Sequence, residues 1–232
     1  MNTENNSLQK YNPARVKAVV FDLGGVLIDV NRNRAHRKWR KLSGLDEKAF
    51  DRVFFGGRLK NGFNTGEVSE PEFLETVAQR TADLQAEKNI SETSGPPTAR
   101  FSPKELRRVW CALLTPSPPA SAVVAALNPR LHRAVLSDTD PIHARHMVEH
   151  FSFMGKLTPK VFSYEVKTIK PDPRIYRVLL ERLDLEPSAC LFLDDKSKNV
   201  IGAHRAGLQA VQVTAFSLLP TLLRPLFAKT SQ

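Results

Sequence analysis

Polar side chains able to do chemistry together stand just beyond short apolar runs. Asp22 follows Ala18–Phe21 and precedes Gly24 and Gly25. Ser137 and Asp138 follow Ala134–Leu136, and Asp194 and Asp195 follow Leu191–Leu193. Lys170 opens a Lys-Pro-Asp-Pro segment between the last two. Three carboxylates near one point repel each other, which calls for a divalent cation. Magnesium suits a site with few protein oxygens and a phosphate completing its shell. A lysine offsets the negative charge and can hold a nucleophilic carboxylate ionised. A serine hydroxyl and nearby backbone N–H groups bind phosphate oxygens. The set fits phosphoryl transfer to an aspartate, where positioning and charge neutralisation supply most of the catalysis.

Such groups meet only if the runs are parallel strands, whose carboxyl ends share one sheet edge. Ala18–Phe21 reads as a strand buried on both faces. From residue 118 the pattern alternates. Helices over 118–127, 141–150, 172–183 and about 200–206 separate strands at 134–136, 161–163, 191–193 and 210–213, and a tail helix covers about 217–227. Strand–helix alternation predicts βαβ units and an α/β doubly wound parallel sheet with a Rossmann-like core. Between about 31 and 115 the pattern is almost purely helical, with expected helices over 32–42, 46–55, 58–63, 69–88 and 103–114 and a loop over 89–102. Asp46 and Ser69 are expected caps. The helical stretch is therefore an insertion after the first strand and a candidate cap over the sheet edge. The expected division is a loose arm (1–16), a core (17–30 and 116–232) and an α-helical cap domain (31–115).

Composition excludes some classes. The 232 residues are 41% hydrophobic and 25% charged, as in an ordinary soluble domain. No apolar run approaches the 18 residues of a membrane span, and the first residues lack the apolar middle of a signal peptide. Cys111 and Cys190 have no metal-ligand neighbours at useful spacing and read as reduced, buried thiols, so a cytoplasmic location is expected. The formal net charge is +10, and residues 32–41 hold six Lys or Arg plus His36 with no acid. A solvated basic face is the expected reading, then a cap cation reaching a substrate anion. Nucleic acid is not the expected partner, because no aromatic platform accompanies the charge.

Four segments carry a family resemblance: FDLGGVLID (21–29), LSDTDPIH (136–143), KPDPRIY (170–176) and LFLDDKSKNVIGAHRAG (191–207). Together with GFNTGEVSEPEFL (62–74), they resemble the haloacid dehalogenase superfamily. The branch is the phosphatase-like one with a helical cap after strand one, near its glucose-1-phosphatase-like and epoxide hydrolase N-terminal-like members. The resemblance implies a magnesium-dependent phosphatase acting on a small phosphorylated substrate through an aspartyl-phosphate. Asp22 matches the nucleophile and a metal ligand, and the Gly24 main-chain carbonyl matches a second metal contact. Asp195 matches the direct magnesium ligand, with Asp194 behind it. Ser137, the Asp138 N–H and Gly25 match the phosphate-binding positions. Lys170 matches the lysine that neutralises nucleophile and phosphate. A monomer or homodimer is expected.

One departure matters. Most phosphatases of the superfamily carry a second Asp two residues after the nucleophile, where this chain has Gly24. Losing a general acid/base costs a factor of ~10² to 10⁴. A good leaving group, such as an anomeric sugar oxygen, needs that acid least. Asp138 and Asp140 are candidate replacements, although both also read as turn residues. Asn199 is read equally as a group orienting the Asp pair and as a helix-start residue. For His143 and His146 a packing or surface role is favoured over metal ligation. The alternatives to the phosphatase are an inactive binding or regulatory module and, less favoured, a metal-free 2-haloacid dehalogenase. Unneutralised Asp194 and Asp195 beside a nucleophile argue against the last. Substrate choice is expected to lie in residues 31–66, with Asn64–Ser69 a candidate lid.

Overall fold

The computed structural model of the chain describes residues 11–91 and 101–228. The first ten residues of the expected arm, and positions 92–100 of the expected loop, lie outside the described residues.

Five parallel strands form the central sheet: β1 (Ala18–Phe21), β4 (His132–Ser137), β5 (Lys160–Phe162), β6 (Cys190–Asp194) and β7 (Gln209–Gln212), in the order β5-β4-β1-β6-β7. β1 is central, and all four of its residues are buried. The pleat sends Val19 and Phe21 to one core, and Ala18 and Val20 to the other. α9 (Pro173–Leu183) and α10 (Ser197–Arg205) cover the second face with Ile175, Tyr176, Leu179 and Ala203. α6 (Ala120–Ala126), α7 (Pro141–His150) and α11 (Leu219–Leu223) supply Val123, Val124, Met147 and Leu222 to the first. Because both faces are covered, β1 and the inner stretches of β4 and β6 read as unbroken apolar runs. After β1 the chain adds β4 and β5 on one side, then β6 and β7 on the other. The order therefore switches between β1 and β6, which is where open α/β sheets bind ligands.

Two short strands were not legible in the sequence. β2 (Ile28–Val30) pairs antiparallel with β3 (Leu114–Pro116), Ile28 against Pro116 and Val30 against Leu114. The expected helix 103–114 stops earlier, as α5 (Pro103–Cys111). Leu114 lies in an apolar run with no turn signal, and only its distant partner decides its conformation. The β2–β3 pair is the neck between the sheet and a block of α1 (Arg32–Ser43), α2 (Glu47–Phe55), α3 (Leu59–Thr65), α4 (Glu70–Ser91) and α5. The tail is not one helix. A 3-10 turn over Phe216–Leu218, α11 and a second turn over Arg224–Leu226 replace it. Pro220 and Pro225 explain the breaks, since each lacks an N–H and crowds the preceding turn.

Caps set the helix starts. Asp46 Oδ1 accepts from Ala49 N at 2.9 Å, and Ser102 forms a reciprocal box with Glu105. The helical block closes on aromatic side chains: Trp110 stacks on Phe54 at 5.5 Å and Phe63 on Phe73 at 4.2 Å. On α1 the buried face is Ala35, Trp39 and Ser43, which turns most of the basic run outward. Glu70 bridges Arg107 of α5 (2.6 Å) and Arg145 of α7 (2.8 Å), tying the block to the sheet's helices. Tyr11 is buried, its hydroxyl donating to Leu222 O at 2.7 Å. No described helix is long and apolar enough to cross a membrane.

Candidate active site

The strand ends converge where the fold requires. Asp22 N donates to Leu193 O at 2.8 Å, which sets Asp22 beside the end of β6. Ligand oxygens of Asp22, Asp194 and Asp195 all lie within 4.8 Å of one another. Lys170 sits among them, 1% exposed. Its Nζ lies 2.9 Å from Asp22 Oδ1 and donates to Asp194 Oδ2 (2.7 Å) and Leu136 O (3.0 Å). All three ammonium protons are therefore directed, two of them at carboxylates. Burial alone would lower the lysine's pKa, but Asp22 and Asp194 outweigh it and raise it above the ordinary value. The lysine stays charged. Burial pushes Asp22 the other way, up to about 6, against the pull of Lys170 and with added repulsion from Asp194.

The adjacent acids of β6 differ sharply. Asp194 is saturated: Oδ1 accepts from Lys196 N (2.8 Å) and Asn199 Nδ2 (3.0 Å), and Oδ2 from Lys170 and Asn199 (3.0 Å). Asp195 is half-buried, its Oδ1 has no hydrogen-bond partner, and burial raises its pKa. A buried carboxylate oxygen without a donor is costly unless a cation meets it. Hard carboxylate oxygens at this spacing fit magnesium better than a softer metal. Asp22 and Asp195 are thus the open oxygens of the cluster, and Asp194 orients Lys170.

Gly25 has φ +79°, and a Cβ there would stand 2.6 Å from the Asp195 carboxyl carbon. Both facts demand glycine. Gly25→Ala is expected to destabilise the protein by about 1–3 kcal/mol, through left-handed backbone cost and displacement of Asp195. Urea unfolding checks this, and an unchanged midpoint would contradict it.

A cleft of about 350 Å³, large enough for a small metabolite, joins these groups to the helical block. Asp22, Gly24, Gly25, Ser137, Asp138 and Asp195 line it from the sheet edge; Arg32, Phe55, Lys60, Asn64 and Trp110 line it from the block. Asp138 Oδ1 accepts from Lys170 N at 2.9 Å, so its carboxylate fixes the lysine segment. Asp140 is committed as well. Its Oδ1 caps α7 by accepting from His143 N (2.9 Å), and its Oδ2 accepts from Trp110 Nε1 (3.0 Å) and lies 2.8 Å from His143 Nδ1. Burial alone would raise its pKa, yet His143 and Trp110 hold it below the ordinary value. His143 stacks on Trp110 at 4.7 Å, and its Nε2 lies 3.1 Å from Trp110 O.

Asn199 is fully buried and donates to both Asp194 oxygens, the first of the two roles open to it from the sequence. One contributor to the cleft had not been singled out. Phe55, with Arg32 4.1 Å and Lys60 5.0 Å from its ring centre, had no signal beyond ordinary helical periodicity. His146 does not line the cleft; it packs on His150 and Phe151, at 4.5 and 5.6 Å.

A family model described as haloacid dehalogenase-like hydrolase matches residues 16–207. The chain is 27% identical to "Phosphatase MT3486" of Mycobacterium tuberculosis, over 85% of this chain and 87% of that protein. It is 26% identical to D-ribitol-5-phosphate phosphatase of Bacteroides thetaiotaomicron, over 85% of this chain and 91% of that one. Crystal structures of the HAD family enzyme BT-2542 from Bacteroides thetaiotaomicron share the fold. One has a TM-score of 0.74 at 22% identity, covering 90% of this chain and 98% of the other. Another, a complex with magnesium and inorganic phosphate, has a TM-score of 0.67 at 21% identity, covering 85% and 93%.

Proposed function

The chain belongs to the haloacid dehalogenase-like hydrolases, and from that premise we propose that it is a magnesium-dependent phosphatase of small phosphate monoesters, with residues 31–115 capping a core of 17–30 and 116–232. The observation that carries this reading is the buried Asp22–Lys170–Asp194 arrangement beside the open Asp195. The phosphatase-named relatives and the magnesium and phosphate complex of a structural neighbour support it.

Asp22, Asp195 and the Gly24 carbonyl would hold magnesium, which when bound supplies positive charge against the phosphoryl oxygens. Ser137, the Asp138 N–H and the backbone at Gly25 bind those oxygens. Asp22 attacks phosphorus in line; the bond to the leaving oxygen breaks as the Asp22–phosphorus bond forms. The leaving oxygen takes a proton from water, since Gly24 offers none. Water then attacks phosphorus as the Asp22–phosphorus bond breaks, its proton passing to the hydroxide left by the first step, and phosphate and free Asp22 are released. Lys170 neutralises Asp22 before attack and the phosphoryl group after it.

The test is phosphate release from a panel of esters, with magnesium and with EDTA. Hydrolysis only with magnesium is expected. Without a side-chain acid, kcat/KM should fall steeply with leaving-group pKa, by roughly 10² or more from p-nitrophenyl phosphate or an anomeric sugar phosphate to a primary alkyl phosphate. A flat series would show that another group supplies the proton. Chloride release from 2-chloropropionate in EDTA would replace the phosphatase with a dehalogenase.

A further inference from the structure

The cleft holds a cation that the phosphoryl chemistry does not use. Lys60, at the start of α3, is half-buried and lines the cleft from the helical side, its ammonium 5.0 Å from the centre of the Phe55 ring. Among the described residues no carboxylate lies within 4 Å of it. Its neighbours are themselves cationic. Arg32 packs on the same ring at 4.1 Å and shares its charge with the exposed Asp51, and Lys196 follows Asp195 into the cleft. Beyond Asp22 and Asp195, the acids lining the cleft are already held: Asp140 by Trp110 and His143, Asp29 by Arg34, and Asp138 by the Lys170 N–H. Burial first, and then Arg32 and Lys196, lower the pKa of Lys60. A desolvated ammonium beside two like charges is unfavourable in the free protein. It becomes favourable when an anion enters.

The reacting phosphoryl group already has its own partners at Asp22, Ser137 and Lys170. Resting on the phosphatase reading, we propose that Lys60, flanked by Arg32 and Lys196, binds a second anionic group of the substrate. The substrate is then a phosphate monoester whose other end carries a carboxylate or a second phosphate. Both groups are compact oxyanions, and Lys60 supplies a point charge that either can accept. Phe55 holds the lysine stem and the Arg32 plane in place.

The test compares matched pairs at one ionic strength: 3-phosphooxypropionate against propyl phosphate, and fructose 1,6-bisphosphate against fructose 1-phosphate. In the wild type, kcat/KM for the member bearing a second anionic group should exceed its partner's by roughly 10- to 100-fold in at least one pair. Whichever pair shows the preference identifies the second anion. Lys60→Met, which keeps the stem, should bring that ratio to within about threefold of 1, and Lys60→Arg should retain most of it. Equal kcat/KM within both wild-type pairs, or a ratio that survives Lys60→Met, overturns the proposal. Failure of the phosphatase reading shows itself separately, as no turnover of p-nitrophenyl phosphate. In that event calorimetric binding of the same pairs, with and without Lys60→Met, decides: a preference for the member with the second anionic group that Lys60→Met removes supports the site, and its absence overturns it.

Discussion

Asp22→Asn is expected to lower kcat for every phosphate ester by about 10⁴ or more while leaving the fold intact. An amide of the same shape cannot form the acyl-phosphate bond, and of the neighbouring carboxylates only Asp195 is open, at the proposed metal position. Asp194 is saturated and Asp138 is bound to the Lys170 backbone. Lys170 keeps Asp194 and Leu136 O, so the buried lysine is not stranded. The same variant has a stability signature. Burial raises Asp22 from its ordinary value to about 6. A carboxyl with a raised folded-state pKa stays protonated in the native state where the unfolded chain has already ionised, so its contribution to stability falls as pH rises. In EDTA, the wild type should therefore lose stability relative to Asp22→Asn between about pH 4 and pH 6. Urea midpoints across that range check the sign.

Lys170→Met is expected to cost both activity and stability. Removing one member of a buried ion pair leaves the other charge uncompensated, at about 3–5 kcal/mol. Here one ammonium serves two carboxylates, Asp22 at 2.9 Å and Asp194 at 2.7 Å, in a site 1% exposed. Asp22 would move further toward its neutral form, and a protonated Asp22 is a poor nucleophile. A fall in kcat of roughly 10³ is expected together with the lowered urea midpoint. Lys170→Arg should not restore either, because a planar fork cannot occupy the pocket of a compact ammonium that also reaches Leu136 O. A Lys170→Met protein with native stability would show that the three-way pairing is not what holds this corner together.

Particular residues show what could be read before the structure was seen. Ala18–Phe21, Ala134–Leu136 and Leu191–Leu193 announced themselves because a strand buried on both faces is apolar throughout, and the acids after them could share only one sheet edge. Asp46 and Ser69 marked helix starts through chemistry that is local in sequence. β2 and β3 carried no such mark. Their pairing joins Val30 to Leu114, and nothing within a turn of either residue specifies it. The difference between Asp194 and Asp195 was only half legible. Adjacent acids at a strand end point to opposite sides, but which one Asn199 and Lys196 N would saturate depends on how α10 begins. The Asp140–His143–Trp110 cluster needed contact between α5 and α7, which lie far apart in the chain. Lys60 looked like any surface lysine on a short helix, and only the cleft beside it gives its charge a meaning.

The phosphoryl group's passage through Asp22 can be observed directly. The protein, in excess and loaded with magnesium, is mixed with ³²P-labelled p-nitrophenyl phosphate, quenched in acid within milliseconds, and digested. Label on the peptide containing Asp22 is predicted, absent in EDTA and absent from Asp22→Asn. Release of p-nitrophenol with no label on that peptide at any quench time would contradict the account.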